Sequence, residues 1–129
     1  MNGEFLLDTN TAIRLLSHDQ AVEDHFRARP EVLLPVFALG ELYYGAQKSR
    51  KVQENCQKVD MFAARVEILG ADIGTAREFG KIKNELRLKG RMIPVNDLWI
   101  ASSARQHDLT VVSDDRHFAE VENLRWEQW

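Results

Sequence analysis

Short apolar runs alternate with longer amphipathic segments along the whole chain. The short runs predict buried strands, because they lack the length of a helix, at residues 4–7, 32–34, 68–69, 110–112 and 124–126. The longer segments repeat apolar residues at helical spacing and predict helices over residues 12–16, 19–28, 36–49, 51–66, 73–89 and 97–107. The last strand is expected at an edge of the sheet.

Residues with special backbone preferences mark the ends of these helices. Pro30 disfavours helical backbone at Arg29 and is expected to end the second helix. Gly90 closes the fifth helix, and Asn96 is a candidate N-cap of the sixth. The polar turn at residues 8–10 links the first strand to the first helix.

Strands that alternate with helices are typical of a parallel sheet covered on both faces. We therefore predict an α/β fold, a three-layer α/β/α domain with a short-stranded, mainly parallel central sheet. The 129 residues, 44% hydrophobic and 29% charged, suit one globular domain that buries a core. We expect residues 1–129 to form a single domain.

The N-terminus and the cysteine content indicate a cytoplasmic protein. Residues 1–4 contain no basic segment and precede a run of only three apolar residues, so a secretory signal is not expected. No stretch approaches the roughly 20 apolar residues of a membrane-spanning helix, so we expect no membrane association. The single cysteine, Cys56, fits a reducing compartment. It is a poor candidate nucleophile, because it lies in a charged helical segment without a histidine nearby.

Four acidic residues lie just after predicted strands or within predicted helices. Asp8 follows the first strand, Asp115 follows the strand at 110–112, Asp97 lies in the first turn of a helix, and Glu41 lies inside a helical segment. Ligands of open parallel sheets bind beyond the carboxyl ends of the strands, so these carboxylates can converge there. Each also has a purely structural alternative, as a turn or cap residue, a first-turn charge or a solvated acid.

Converging carboxylates require raised pKa values or a bound cation, because two unit charges about 4 Å apart cost about 4 kcal/mol at an effective dielectric near 20. Oxygen ligands select hard ions such as Mg²⁺ or Mn²⁺, whose waters can be activated to attack a phosphodiester. The net charge of −3 argues against charge-driven binding to long nucleic acid but does not exclude a nuclease. The histidines have no zinc-type spacing, and we expect each to be a surface or core residue: His18, His25, His107 and His117.

Four motifs together resemble those of the PIN-domain ribonucleases, and among them the VapC-type toxins of bacterial toxin–antitoxin systems. They occur in the family's order across nearly the whole chain: Leu6-Leu7-Asp8-Thr9-Asn10, Gly40-Glu41-Leu42 with Tyr44-Gly45, Pro94-Val95-Asn96-Asp97 with Ile100-Ala101, and Val112-Ser113-Asp114-Asp115 with Phe118. The last motif departs slightly from the family, because serine replaces the more usual threonine and two aspartates are adjacent. Its spacing to Phe118 favours Asp115 as the site residue, with Asp114 as the substitute.

The resemblance implies a PIN fold in which carboxylates surround one or two Mg²⁺ or Mn²⁺ ions. Asp8 and Asp97 would be the core ligands and Asp115 would complete the site. Glu41 would bind the ion directly or through water and help to orient the nucleophile. Further polar residues would hold the carboxylates by hydrogen bonds, although helix capping is an equal alternative: Thr9, Asn10, Ser113 and Asp114.

The same resemblance implies an endoribonuclease that hydrolyses RNA, with tRNA among the candidate substrates, and so inhibits translation. It also implies a homodimer and a cognate VapB-type antitoxin, through which alone operator DNA would be bound. Basic candidates for RNA contacts, any of which can be merely solvated, are Arg14, Lys48, Arg50, Lys51, Lys89 and Arg91. Aromatic candidates for a groove that holds the antitoxin tail, which also fit a core, are Phe37, Tyr43, Tyr44 and Trp99.

Three other functions share part of this pattern. A flap-type DNA nuclease uses a similar acidic cluster but needs further DNA-binding modules, for which 129 residues leave no room. A receiver domain needs paired acids after the first strand, where this chain has Thr9 and Asn10 after Asp8. A PIN scaffold that binds RNA or a protein partner without cleavage stays open, since filled acidic positions favour catalysis without demonstrating it.

Overall fold

A computed structural model describes residues 4–28 and 31–129. The predicted end of the second helix at Arg29 and Pro30 lies outside these ranges, and so do residues 1–3 of the N-terminal segment in which no secretory signal is expected.

Five short strands form one sheet in the order β3-β2-β1-β4-β5. They are β1 (Phe5–Leu7), β2 (Val32–Pro35), β3 (Glu67–Leu69), β4 (Thr110–Val112) and β5 (Arg125–Glu127). All of these strands pair in parallel, and Leu6 of β1 is in register with Leu33 of β2 and Val111 of β4. The central strands are covered on both faces, which explains their uninterrupted apolar sequences. The predicted parallel sheet is confirmed, and so is the edge position of the last strand.

Helices fill the connections between the strands. They are α1 (Thr9–Leu16), α2 (Gln20–Ala28), α3 (Val36–Gln47), α4 (Val52–Ala63), α5 (Ile73–Lys89) and α6 (Val95–His107), and a 3-10 helix (Arg116–Glu120) follows β4. The chain passes from β1 outward to β2 and β3 and then crosses back to β4, on the other side of β1. Crossovers between parallel strands are almost always right-handed, so this reversal places helices on both faces of the sheet. The predicted three-layer α/β/α fold is confirmed.

The core lies where the central strands meet these helices. The largest fully buried side chains include strand, helix and 3-10 helix residues, among them Leu6, Leu34, Ile82, Leu98, Val111 and Phe118. Burial of each such side chain contributes about 1.5–3 kcal/mol. This packing holds the ends of β1 and β4 in fixed positions. Among the helices in residues 4–28 and 31–129, none has the length and hydrophobicity to cross a bilayer.

Several predicted helix limits are wrong. α1 begins at Thr9, since the Asp8 side chain caps it directly, and no polar turn intervenes. α3 ends at Gln47, two residues before the predicted limit, and the Ser49 hydroxyl donates to the carbonyl of Ala46 at 2.6 Å. α4 ends at Ala63, three residues before the predicted limit. Asn96 is not an N-cap: α6 starts at Val95 after Pro94, whose fixed φ suits a helix start.

Candidate active site

The carboxyl ends of β1 and β4 lie side by side where the strand order reverses. Such a reversal leaves a crevice beyond the strand ends, which is the usual ligand site of an open parallel sheet. Asp8 follows β1, residues 113–115 follow β4, and Asp97 lies in the first turn of α6. The fold therefore brings three of the predicted carboxylates, Asp8, Asp97 and Asp115, to one edge of the sheet.

The Asp8 carboxylate is buried, and each of its oxygens accepts a hydrogen bond. Oδ1 accepts from the backbone N–H of Thr9 at 2.8 Å, and Oδ2 accepts from the Ser113 hydroxyl at 2.7 Å. The Ser113 oxygen also accepts from the Asn10 amide at 3.3 Å and from the backbone N–H of Asp115 at 2.9 Å. Ser113 and Asn10 thus connect the ends of β1 and β4 and fix the direction of the Asp8 carboxylate.

Asp97, Asp115 and His117 form the other half of the cluster. His117 Nδ1 lies 2.9 Å from Oδ2 of Asp97 and 2.8 Å from Oδ1 of Asp115. One ligand atom from each of the three residues lies within 4.8 Å of the other two, a spacing suited to one shared ion. The backbone N–H of His117 also donates to Asp115 Oδ1 at 2.9 Å, so the start of the 3-10 helix positions both residues.

His117 lies at the surface, as predicted, but the sequence did not place it in the acidic cluster. Its side chain is 47% exposed, yet its ring contacts two carboxylates of the cluster. Zinc-type spacing of His and Cys residues does not identify His117, because its partner is Asp97, which lies 20 residues earlier in the chain. The Asp-x-His spacing of Asp115 and His117 was the available signal.

Burial and crowded negative charge raise the pKa values of the carboxyls. Burial raises the pKa of Asp97 to about 6, the hydrogen bond with His117 opposes this, and the charges of Asp8 and Asp115 add to it. Burial likewise raises the pKa of Asp8, against the hydrogen bonds from Ser113 and Thr9. The hydrogen bond to Asp97 raises the pKa of His117. Carboxyl groups that are buried close to one another are expected to behave in this way.

Glu41 is linked to the cluster through Asn96, the residue next to Asp97. It lies in the middle of α3, half-buried, and its Oε1 accepts a hydrogen bond from the Asn96 amide at 2.5 Å. Asn96 directly precedes Asp97, so this bond holds Glu41 beside the first turn of α6. Asn96 thus forms a contact with Glu41, 55 positions earlier in the chain, which its place in the sequence did not reveal.

The two adjacent aspartates have different partners. Both oxygens of Asp114 accept hydrogen bonds from Arg14 Nη1, at 2.9 and 3.0 Å. Arg14 Nε also donates to Asp19 at 3.1 Å. The guanidinium therefore balances the Asp114 charge, while Asp115 contacts His117. This geometry favours Asp115 over Asp114 as the site residue.

The basic candidates for RNA contacts lie in three regions. Lys48, Arg50 and Lys51 are exposed in and beside the turn between α3 and α4. Lys51 forms an ion pair with Glu54 at 3.8 Å. Lys89 and Arg91, at the end of α5, pair with Glu122 and Glu120, respectively. Arg14 already binds two carboxylates, so it is the candidate with the least freedom to meet a phosphate.

The donor set of this cluster fits a hard divalent cation. Asp8, Asp97 and Asp115 offer carboxylate oxygens, the ligands that Mg²⁺ and Mn²⁺ prefer. Across residues 4–28 and 31–129, no lysine or arginine forms an ion pair with any of the three. Their charge is therefore balanced only by hydrogen bonds and the His117 ring, and a bound cation would relieve the repulsion.

The raised pKa of Asp97 predicts a pH dependence of stability in the metal-free protein. The folded state holds the Asp97 proton up to a pKa of about 6, whereas the unfolded chain loses it near 3.8. The resulting stabilisation is complete below pH 4 and is lost as the pH rises through 6, by on the order of 2 kcal/mol. His117, whose pKa is also raised, acts in the same direction at higher pH.

Urea unfolding in EDTA at pH 5 and pH 7.5 measures this effect. Comparison with Asp97→Asn separates the Asp97 contribution from that of the other titrating groups, because asparagine carries no proton equilibrium. The stability difference between the two proteins is expected to change with pH. An unchanged difference would show that Asp97 has an ordinary pKa.

These features define an α/β domain with an acidic candidate cation site at the switch point of a parallel sheet. Residues 5–124 match the family described as PIN domain. The chain therefore belongs to the PIN-domain family, and the resemblance to its VapC-type members is confirmed by relatives that span the whole chain.

Two of these relatives carry names that state an activity. The chain is 33% identical over 129 residues to a Shigella flexneri protein named tRNA(fMet)-specific endonuclease VapC, covering 98% of both chains. It is 31% identical over 130 residues to Ribonuclease VapC2 of Rickettsia felis, covering 97% of both.

Solved structures show the same fold. DNA-bound VapBC from Salmonella typhimurium aligns with a TM-score of 0.94 at 32% identity, covering 98% of both chains. VapBC-5 from Mycobacterium tuberculosis, described as a member of the VapBC family of toxin–antitoxin systems, aligns with a TM-score of 0.75 at 27% identity, covering 98% of this chain and 97% of that one.

Proposed function

We propose that the protein is an endoribonuclease that depends on Mg²⁺ or Mn²⁺ and acts as the toxin of a toxin–antitoxin pair. The observation that carries this proposal is the convergence of Asp8, Asp97 and Asp115 at one sheet edge of a PIN domain. Relatives matched along the whole chain are named ribonucleases, which supports RNA as the substrate class. Location in the cytoplasm, where RNA is translated, belongs to the same proposal.

In this proposal Asp8, Asp97 and Asp115 hold the cation. A bound divalent cation supplies positive charge against the scissile phosphate and activates water for in-line attack. Glu41, held by the Asn96 amide at 2.5 Å, orients the attacking water. Ser113 and Asn10 keep the Asp8 carboxylate in place through the bonds that link β1 to β4. No side chain becomes covalently attached to RNA.

The substrate is proposed to be a structured RNA such as tRNA. The Shigella relative is named for tRNA(fMet), which makes tRNA the first substrate to test. Lys48, Arg50 and Lys51 cluster around the turn that follows α3, the helix that carries Glu41. A basic turn at this position can contact the phosphates of an RNA whose scissile bond lies in the acidic cluster. Arg14 stays a candidate only if RNA displaces one of its carboxylate partners.

A VapB-type antitoxin is the proposed protein partner, and operator DNA would be bound only through it. A groove of about 390 Å³ runs between α1, α3 and α4, and its lining includes Ile13, Leu16, Glu41, Leu42, Lys58 and Val59. Its apolar floor suits an amphipathic peptide tail, and Glu41 in its wall would bring that tail close to the acidic cluster. We also propose a homodimer, as the family resemblance implies.

The aromatic residues first considered for this groove do not line it. Phe37 packs against the core and stacks on Trp99 with ring centroids 5.3 Å apart. The Tyr43 hydroxyl donates to Asp60 and so ties α3 to α4. Tyr44 is exposed and lies under the Lys48 ammonium.

The decisive experiment is cleavage of purified tRNA with and without divalent cations. We expect discrete cuts in Mg²⁺ or Mn²⁺, no cuts in EDTA, and recovery when the cation is restored, since the carboxylates alone cannot stabilise charge on the phosphate. Mapping the new RNA ends after brief induction in cells identifies the substrate. The same induction is expected to arrest growth, with rescue by the small protein encoded next to the toxin.

Undiminished cleavage in EDTA would contradict the metal-dependent mechanism. Tight RNA binding without cuts in either cation would support the alternative of a non-cleaving PIN scaffold. Growth arrest that persists in an Asp97→Asn variant would separate toxicity from ribonuclease activity.

A further inference from the structure

The role of His117 is not accounted for by a site made of carboxylates alone. Its ring lies between Asp97, in the first turn of α6, and Asp115, the N-cap of the 3-10 helix. Half of the ring is exposed to solvent, so burial does not force it into this position. A structural histidine could occupy many places on this edge; this one faces the centre of the cluster.

The distances around His117 match those between ligands of one ion. Neighbouring ligands of an octahedral ion with metal–ligand distances of about 2.0–2.1 Å lie about 3 Å apart. His117 Nδ1 lies 2.9 Å from Asp97 Oδ2 and 2.8 Å from Asp115 Oδ1. When Nδ1 carries no proton, it can offer a lone pair to an ion that these two oxygens also bind. Small shifts of the three side chains would seat an ion among them.

The backbone around His117 limits other orientations of the ring. Its N–H donates to Asp115 Oδ1 at 2.9 Å, and the next residue, Phe118, is fully buried. The 3-10 helix is therefore anchored on one side by the core and on the other by Asp115. This anchoring presents the His117 ring to the cluster in advance of any ligand.

We propose that His117 Nδ1 is a direct ligand of the same cation that Asp97 and Asp115 hold, and that this nitrogen shifts the preference of the site from Mg²⁺ towards Mn²⁺. The inference rests on the proposed metal-dependent function and extends it. Mg²⁺ binds almost exclusively to oxygen. Mn²⁺ also prefers oxygen ligands, but as a first-row transition ion it accepts an imidazole nitrogen more readily than Mg²⁺ does. A mixed oxygen and nitrogen site therefore disfavours Mg²⁺ relative to Mn²⁺, although both fit the carboxylates.

Pulsed electron paramagnetic resonance of bound Mn²⁺ tests the ligand directly, because a coordinated imidazole adds a ¹⁴N modulation to the spin echo. We expect this modulation in the wild-type protein and its loss in His117→Gln and His117→Ala. His18→Gln is the matched control, since His18 is an exposed histidine that lies beyond the C-terminal end of α1 and pairs with Glu23. The control is expected to retain the modulation.

Calorimetric titration with Mn²⁺ and with Mg²⁺ tests the preference. In His117→Gln the Kd for Mn²⁺ is expected to rise roughly tenfold or more, while the Kd for Mg²⁺ changes much less. Circular dichroism checks that each variant is folded. His117→Ala and His117→Gln are expected to show the same change in the Kd values for the two ions.

Mn²⁺ binding that depends on Asp97 but shows no ¹⁴N modulation would overturn the inference and leave the proposed metal site intact. An equal loss of Mg²⁺ and Mn²⁺ affinity in His117→Gln would overturn the claimed preference. Failure of the wild-type protein to bind either ion would overturn the proposed metal site, and the inference with it.

Discussion

Replacement of Asp97 by asparagine is expected to lower the rate of RNA cleavage by roughly a thousandfold or more and to abolish tight binding of Mn²⁺. Asp97 is buried in the first turn of α6, and its carboxylate is one of three proposed to hold the cation. Asparagine keeps the shape of the side chain but removes its charge, so the remaining carboxylates hold a divalent ion far less well. Asp8→Asn is expected to behave similarly.

The same substitution is expected to leave the metal-free protein folded and at least as stable at pH 7.5. The reason is that burial partly desolvates Asp97 and that Asp8 and Asp115 repel it, which together raise its pKa to about 6. Single-turnover cleavage, calorimetric titration with Mn²⁺ and thermal unfolding in EDTA measure the three quantities. Asp24→Asn, at an exposed residue of α2, is the matched control and should behave like the wild type. Activity within tenfold of the wild type would exclude Asp97 as a metal ligand.

Replacement of Phe118 by alanine is expected to destabilise the protein by about 3–5 kcal/mol, the usual cost of removing a buried aromatic ring. Phe118 is fully buried and joins the 3-10 helix to the core. For a domain of this size the loss corresponds to a fall in Tm of roughly 10–20 °C. Because the same helix carries His117 and is capped by Asp115, affinity for Mn²⁺ is expected to fall as well.

Urea unfolding and titration with Mn²⁺, both at a temperature where the variant stays folded, measure these effects. Met61→Ala is the control: it removes a large apolar side chain that is 71% exposed and should change stability by less than about 0.5 kcal/mol. Phe118→Leu is expected to recover much of the stability, since it refills most of the volume. A loss below about 1 kcal/mol in Phe118→Ala would show that the 3-10 helix is not anchored by this ring.

Much of the fold could be predicted because its signals are local. The apolar runs around Leu6, Leu33 and Val111 became neighbouring strands of one parallel sheet. α5 has the predicted limits, Ile73–Lys89, and Gly90 closes it in the left-handed conformation with φ 67°. The wrong helix limits depend on capping details that the apolar pattern does not contain: the Asp8 side chain caps α1, and α6 starts after Pro94 instead of after Asn96.

The positions of the site carboxylates could also be anticipated, since a residue after a parallel strand lies at the carboxyl edge of the sheet. Asp8 and Asp115 follow β1 and β4 for this reason. The contacts that organise the site could not be anticipated. His117 with Asp97, Asn96 with Glu41, and Arg14 with Asp114 join residues 20, 55 and 100 positions apart.

The sequence by itself determined the alternation of strands and helices, and with it the placement of Asp8, Asp97 and Asp115 at element ends, because hydrophobic periodicity and backbone preferences act over a few residues. Only the tertiary structure decided which groups meet there. In the folded chain Arg14 contacts Asp114, and His117 lies between two carboxylates. Such contacts depend on the packing of elements that are distant along the chain.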